Sequence, residues 1–276
     1  EAGLHLALGT NELSERPGSE TLYNSIFYFD RGGELLGRHR KLMPTQEERA
    51  IWGRGDPSSL ATYDTDIGTL GGLICYENHM TLSKAALTAM GEEIHAAVWP
   101  GFWEQHGHPG DKTRAEDAGA VDTCDIYPAV REYAFETQSF VAACSAYMSD
   151  DVPEAFSEDE LGFNVASGGS MLVNPAGIVK AGPLVGEEGI LTADFERDER
   201  RATEAYLDAV GPYTPGGAGS PSPAGGGPLR PVVGWTPAGG VVVACCAGIA
   251  GIDPARPVAA DRAVDEVLEP RPLHLV

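Results

Sequence analysis

The chain has 276 residues, with 41 acidic against 19 basic side chains and a formal net charge of −22, which argues against a basic face for phosphate backbones or anionic lipid. No run of about 18 apolar residues occurs, so no membrane-spanning helix is expected. Five cysteines, at 75, 124, 144, 245 and 246, form no Cys-x-x-Cys pair. With no basic-then-apolar leader at the start, they fit a reducing, cytoplasmic setting.

Residues 3–9 and 24–30 read as strands, with 31–34 as a turn into a third strand at 35–39. Because 3–9 is strand-like from the outset, the expectation is that part of the domain lies upstream. Glu12 and Glu15 read as turn residues. Pro44 opens a polar loop with one helical turn over 46–51. Residues 61–74 form a hairpin whose second strand, 70–74, ends in Cys75. Leu82, Ala85, Ala86, Ala89 and Met90 then recur at helical spacing up to Gly91, predicting a helix over 81–90.

An apolar strand follows at 94–99, then a long polar loop at 101–125. Residues 127–138 have a helical pattern with Pro128 in the first turn. A buried strand is predicted at 139–145, an acidic loop at 149–161 and a hairpin over 168–183 with its tip at 174–177. A strand over 189–195 and a charged helix over 198–207 complete the patterned part. The composition then changes: residues 212–276 hold 11 of the 20 prolines and 11 glycines. The expected organisation is a folded domain over 1–211 and a disordered Gly/Pro-rich tail over 212–276, of a composition that out-of-frame translation of GC-rich DNA would also give.

Three side chains in the first hundred residues have the chemistry of a catalytic site. Cys75 lies at a strand-to-helix turn, where unpaired amides and the positive end of a helix dipole favour thiolate; a small buried core residue is the competing reading. Lys41 ends a strand bearing Arg38, His39 and Arg40. Such a cluster is commonly a solvated face, but a lysine at the mouth of a sheet can hold developing negative charge. Glu48 can orient that ammonium or take a proton, against the default of an exposed loop glutamate.

Five collinear motifs resemble the nitrilase branch of the carbon–nitrogen hydrolase superfamily, over 22–207, about two thirds of the chain. His-Arg-Lys-Leu-Met-Pro-Thr-Gln-Glu-Glu-Arg at 39–49, followed by Trp-Gly-Arg-Gly-Asp at 52–56, matches the family's lysine segment. Leu-Gly-Gly-Leu-Ile-Cys-Tyr-Glu-Asn at 70–78 matches its cysteine segment, with Tyr76 where Trp is more usual. Gly-Glu-Glu-Ile-His-Ala-Ala-Val-Trp-Pro at 91–100, Arg-Glu-Tyr-Ala-Phe-Glu-Thr-Gln-Ser-Phe-Val at 131–141 and Gly-Gly-Ser-Met-Leu-Val-Asn-Pro-Ala-Gly at 168–177 follow in order. The closing motif starts at Asp208-Ala209-Val210-Gly211, but Pro212 stands where His is expected.

The resemblance implies an α/β fold, a four-layer α-β-β-α sandwich with its N-terminal strand and helices missing, assembled into homo-oligomers through helices. It implies nitrile hydrolysis to a carboxylic acid and ammonia without cofactor or metal: Cys75 as nucleophile, Lys41 stabilising the tetrahedral species and Glu48 positioning Lys41. Tyr76, Glu77, His79, Trp99 and Trp103 are expected to bind the small nitrile substrate. The family's general-base glutamate belongs to a Phe-Pro-Glu segment that the 276 residues do not contain. Its loss is expected to remove a proton-transfer contribution of about 10²–10⁴-fold.

Other readings compete. An amidase of the same superfamily would use the same residues on a linear amide, and a catalytically silent fragment would keep the fold without turnover. Cys75 with His79 could form a thiol-protease dyad, though the lysine segment would then be unexplained. His106 and His108 are half of a metal site at most. Cys144 reads as core, and Trp52 either lines the substrate mouth or packs.

Overall fold

In the computed structural model of the chain the residues described are 3–101, 126–148, 166, 168–207 and 209, with strands at 240–245 and 273–275. The first three strands, β1 (His5–Leu13), β2 (Leu22–Phe29) and β3 (Leu35–Arg40), form an antiparallel meander. The β2–β3 turn is set by Asp30, whose Oδ1 accepts from the Gly32 and Glu34 amides at 2.8 and 2.9 Å, while Gly33 takes a φ of 86°.

The second sheet carries β4 (Tyr63–Thr65), β5 (Gly68–Ile74), β6 (Ile94–Trp99), β7 (Phe140–Ser145), β8 (Gly168–Val173) and β9 (Val179–Val185), side by side in that order. Here β5, β6 and β7 run parallel, joined through α1 (Thr81–Ala89) and, before β7, α2 (Ile126–Thr137). Every residue of β6 is buried, which explains why it is apolar apart from His95: a central parallel strand is covered on both faces. The first sheet is completed by β10 (Ala193–Phe195), β11 (Gly240–Cys245) and β12 (Leu273–Leu275), in the order β10-β12-β11-β1-β2-β3. A last helix, α3 (Arg197–Glu204), follows β10.

The two sheets face each other, β2 against β5 and β11 against β6 and β7, with α1 and α2 in contact with each other and α2 against β7 and β8. This is the α/β sandwich expected of the motifs. On α2 the buried positions Ile126, Ala129, Val130, Tyr133, Ala134 and Thr137 form one helical stripe. On α1 the expected face is corrected. Leu82 is 83% exposed and Met90 is also exposed, while Ser83, Lys84 and Leu87 are buried. Leu87 packs into the core, and on the same face the buried Lys84 finds a partner, its Nζ 2.6 Å from Glu136 on α2.

Further corrections concern boundaries and one carboxylate. The strand expected over 189–195 is confined to Ala193–Phe195. Of the segment 212–276, assigned to disorder on composition, the described residues are two strands, β11 pairing parallel with β1 and β12 bridging it to β10. The expected loops at 102–125 and 149–161, with His106, His108 and Cys124, lie outside the described residues. Glu12 is not in a turn. It is buried in β1, where it accepts from Ser25 Oγ at 2.6 Å and pairs with Arg38 at 2.7 Å and with Arg40, so one carboxylate ties β1 to β2 and β3. Among the described residues no helix is long and apolar enough to cross a membrane.

Two expected outcomes follow from this packing. A Cβ at Gly72 on β5 would lie 2.5 Å from the Ala96 carbonyl oxygen and 2.8 Å from the Tyr28 hydroxyl, so G72A should destabilise the fold by about 1–3 kcal/mol in thermal melts. Burial pushes the Glu12 carboxyl up, but its hydrogen bonds to Arg40 and Ser25 and the nearby arginine charges outweigh that and hold it below the ordinary glutamate value of 4.5. Its stabilising contribution is therefore complete above that value and lost as pH falls through the lowered folded-state value. Denaturant midpoints measured downward from pH 5 should fall, and E12Q should flatten that part of the profile.

Candidate active site

The carboxyl ends of the parallel strands gather at one edge, where crevices of open α/β sheets form. Cys75 follows β5 directly, is 5% exposed and heads a short 3-10 turn, Cys75–His79. Helix α1 starts only at Thr81, so the amides beside the thiol belong to this turn and not, as the sequence suggested, to the following helix. The Cys75 backbone has φ 56°, in the left-handed region, which for a residue with a Cβ costs about 1–3 kcal/mol when it is held by its surroundings.

Lys41 comes from the other sheet, one residue past the end of β3. Its side chain is 1% exposed, and Nζ donates to Glu48 Oε2 at 2.6 Å. Glu48 is the third residue of a 3-10 turn, Gln46–Ala50, and the same oxygen accepts the amide of Thr45 at 2.5 Å. That is the reach-back half of a capping box, legible as Thr-Gln-Glu-Glu at 45–48. Glu48 is thus fixed by its own backbone before it fixes Lys41.

Glu77 repeats the device on the cysteine side. It is the third residue of its 3-10 turn, 1% exposed, and its Oε2 accepts the Ile74 amide at 3.0 Å. The same oxygen lies 3.0 Å from His39 Nε2, and Oε1 accepts the Leu42 amide at 2.7 Å. One carboxylate therefore grips the residue before Cys75 and the residue after Lys41. It holds together two segments that come from different sheets. Expected among the substrate-binding side chains, Glu77 is instead buried and saturated with protein donors, because its position in the turn aims it back at the backbone.

The remaining expected substrate residues divide. Tyr76, His79 and Trp99 form one aromatic group, with ring centroids 5.3 Å apart for Tyr76–His79, 6.1 Å for His79–Trp99 and 6.5 Å for Tyr76–Trp99. Tyr76 and His79 are exposed and Trp99 is buried, which gives the group an outer and an inner wall. Trp103 lies outside the described residues. Trp52 packs: its Nε1 donates to Asn11 Oδ1 at 2.8 Å, and its backbone bridges to Leu22. Cys144 is half-buried against the core.

Sequence reasoning gave no role to Asn78, Glu92, His95 or Tyr133, which form a buried polar chain beneath the Cys75 turn. Asn78 Nδ2 donates to the Cys75 carbonyl at 2.8 Å, His95 Nε2 lies 2.9 Å from Asn78 Oδ1 and His95 Nδ1 lies 2.8 Å from Glu92 Oε1. Tyr133 donates to Glu92 Oε2 at 2.6 Å. Burial, then the Glu92 charge, pushes the Tyr133 phenol well above its usual range, so it stays a donor at ordinary pH. The only signal for this chain was the presence of charged and polar residues at the edge of an otherwise apolar strand.

The family model described as carbon-nitrogen hydrolase matches residues 1–205. Nitrilase 2 of Arabidopsis thaliana is 34% identical over 202 residues, covering 70% of this chain and 54% of the relative. An aliphatic nitrilase of Sinorhizobium fredii is 37% identical over 218 residues, covering 77% of this chain and 62% of the relative. The chain thus spans little more than half the length of these curated relatives.

Among solved structures, a carbon-nitrogen hydrolase from Helicobacter pylori superposes with a TM-score of 0.57 at 19% identity, covering 74% of this chain and 65% of that one. Nit3 of Saccharomyces cerevisiae, of branch 10 of the nitrilase superfamily, gives 0.52 at 22% identity, covering 71% and 61%. These two structures share the sandwich. From the family match and the two nitrilase relatives, this chain belongs to the carbon–nitrogen hydrolase family, the nitrilase superfamily.

Proposed function

We propose that the chain hydrolyses a small nitrile to the carboxylic acid and ammonia, with Cys75 as nucleophile, Lys41 as the cation beside it and Glu48 as the group that orients Lys41. The observation that supports this most directly is the Glu77 clamp, which brings the amides of Leu42 and Ile74, the neighbours of Lys41 and Cys75, to one carboxylate. The similarity to plant and bacterial nitrilases points to nitriles as the substrate class.

In this reading the Cys75 sulfur adds to the nitrile carbon and the nitrile nitrogen takes up a proton, giving a thioimidate. Water adds to that carbon, and carbon–nitrogen cleavage releases ammonia and leaves a thioester. A second water displaces the thiol and releases the acid, so two waters are consumed per nitrile. Lys41, buried and held by Glu48, stabilises negative charge as each tetrahedral species forms. Tyr76, His79 and Trp99 offer aromatic walls for the organic part of the substrate. Glu12, Glu48 and Glu77 are each occupied by protein donors, so none of these three is assigned as the base that activates water. Assembly into homo-oligomers is part of the same proposal and is read by light scattering.

The test is ammonia release from a panel of aliphatic, aryl and arylacetonitriles, each beside its matching amide. Faster release from nitriles is expected; faster release from amides would replace this reading with an amidase, and release from neither by the folded chain would leave a silent protein. C75A should abolish turnover, and surviving turnover would remove Cys75 from the mechanism. E77Q should lower kcat by about a hundredfold through misplacement of Lys41 relative to Cys75. It should also cost about 1–3 kcal/mol in denaturant unfolding, because an amide cannot satisfy the same three donors.

A further inference from the structure

The buried chain beneath Cys75 fixes the orientation of its members. Asn78 Nδ2 lies 2.8 Å from the Cys75 carbonyl oxygen and 3.4 Å from that of Leu73, so its amide nitrogen must face those two acceptors. Flipping the amide would set oxygen against oxygen. Asn78 Oδ1 is therefore the atom that faces His95 Nε2 at 2.9 Å, and Nε2 must carry a hydrogen. The other ring nitrogen, Nδ1, faces Glu92 Oε1 at 2.8 Å.

Glu92 and His95 are both 0% exposed. The Tyr133 hydroxyl donates to the other Glu92 oxygen, so both oxygens of this carboxyl group have a partner. The Tyr133 ring also stacks on the imidazole at 3.7 Å between centroids and 24° between planes. Space for the carboxylate is made by Gly71, where any Cβ would collide with Glu92 Oε1. The titratable groups in contact with this ring are Glu92 from the turn before β6 and Tyr133 from α2.

We propose that His95, held in place by Glu92 and Tyr133, is a positioning residue for Cys75. Acting through Asn78, it pins the Cys75 carbonyl and so keeps the thiol-bearing residue in its left-handed conformation. The proposal rests on Cys75 being the nucleophile. It adds a second buried carboxylate to the site: Glu77 sets where Cys75 stands relative to Lys41, and Glu92, through His95 and Asn78, sets how its backbone is turned.

Two measurements on the full chain test it, and neither needs nitrile turnover. In nitrogen NMR of the histidine-labelled protein, one histidine should show a hydrogen on Nε2 protected from solvent exchange, and that signal should vanish in H95L. Absence of such a signal from the parent chain would overturn the contact with Asn78, and this reading needs no variant to fold. The second measurement is alkylation of Cys75 by iodoacetamide as a function of pH, read by peptide mass spectrometry against Cys144 in the same molecule. N78A and H95L should each change the Cys75 rate by about tenfold or more, in the same direction, with Cys144 unchanged.

The double variant should be no further from the parent than either single one, because both break one chain of contacts. Additive effects, or a Cys75 rate and pH profile untouched by either variant, would overturn the proposal. If nitriles are not hydrolysed yet the coupled alkylation result holds, the positioning role stands and the nitrilase reading falls. If nitriles are hydrolysed and alkylation is indifferent to N78A, the reverse is true.

Discussion

The site depends on one buried carboxylate. Glu77 receives the Ile74 amide, the Leu42 amide and His39, and these donors come from both sides of the interface between the sheets. An ionised carboxylate with 1% exposure is tolerable only when such donors replace its water. The dependence is mutual. The segments after β3 and β5 are held together by a charge that neither could keep buried alone. Sheet docking and site assembly are therefore one event, and a slip of one sheet against the other would strand this carboxylate as well as part Lys41 from Cys75.

Much of this arrangement was legible in the chain. The period-2 strands, the helical stripe of α2 and the largely apolar run of β6 follow from patterns whose physical cause is burial on one face or on two. The Glu48 clasp was written in Thr-Gln-Glu-Glu, since a glutamate three residues after a helix-capping threonine reaches back to its amide. The motif order also gave the family, which the match over residues 1–205 shows.

What could not be read has a common cause: it depends on which way a polar side chain turns once two elements meet. Glu77 and Tyr76 are neighbours in sequence, yet the first goes inward to backbone amides and the second outward to the aromatic group. On α1 the buried Lys84 was not foreseen, since its carboxylate partner on α2 lies about fifty positions away in sequence. Glu12 read as a turn residue because nothing local announces the two arginines of β3 that neutralise it. The His95 chain was missed for the same reason, since its four members come from three elements and the turn before β6.

The left-handed backbone at position 75 has a consequence for how the chain can change. With φ at 56°, the residue that would fold there with least strain is glycine, which adopts this region freely. A cysteine at that position stands against the preference of the backbone. Substitutions that relax the turn would raise stability and discard the sulfur. With Cys75 as the proposed nucleophile, stability and reactivity pull in opposite directions at one residue. A sequence of this architecture that bears glycine at position 75 would be recognisable as a lineage in which the fold had outlived its chemistry.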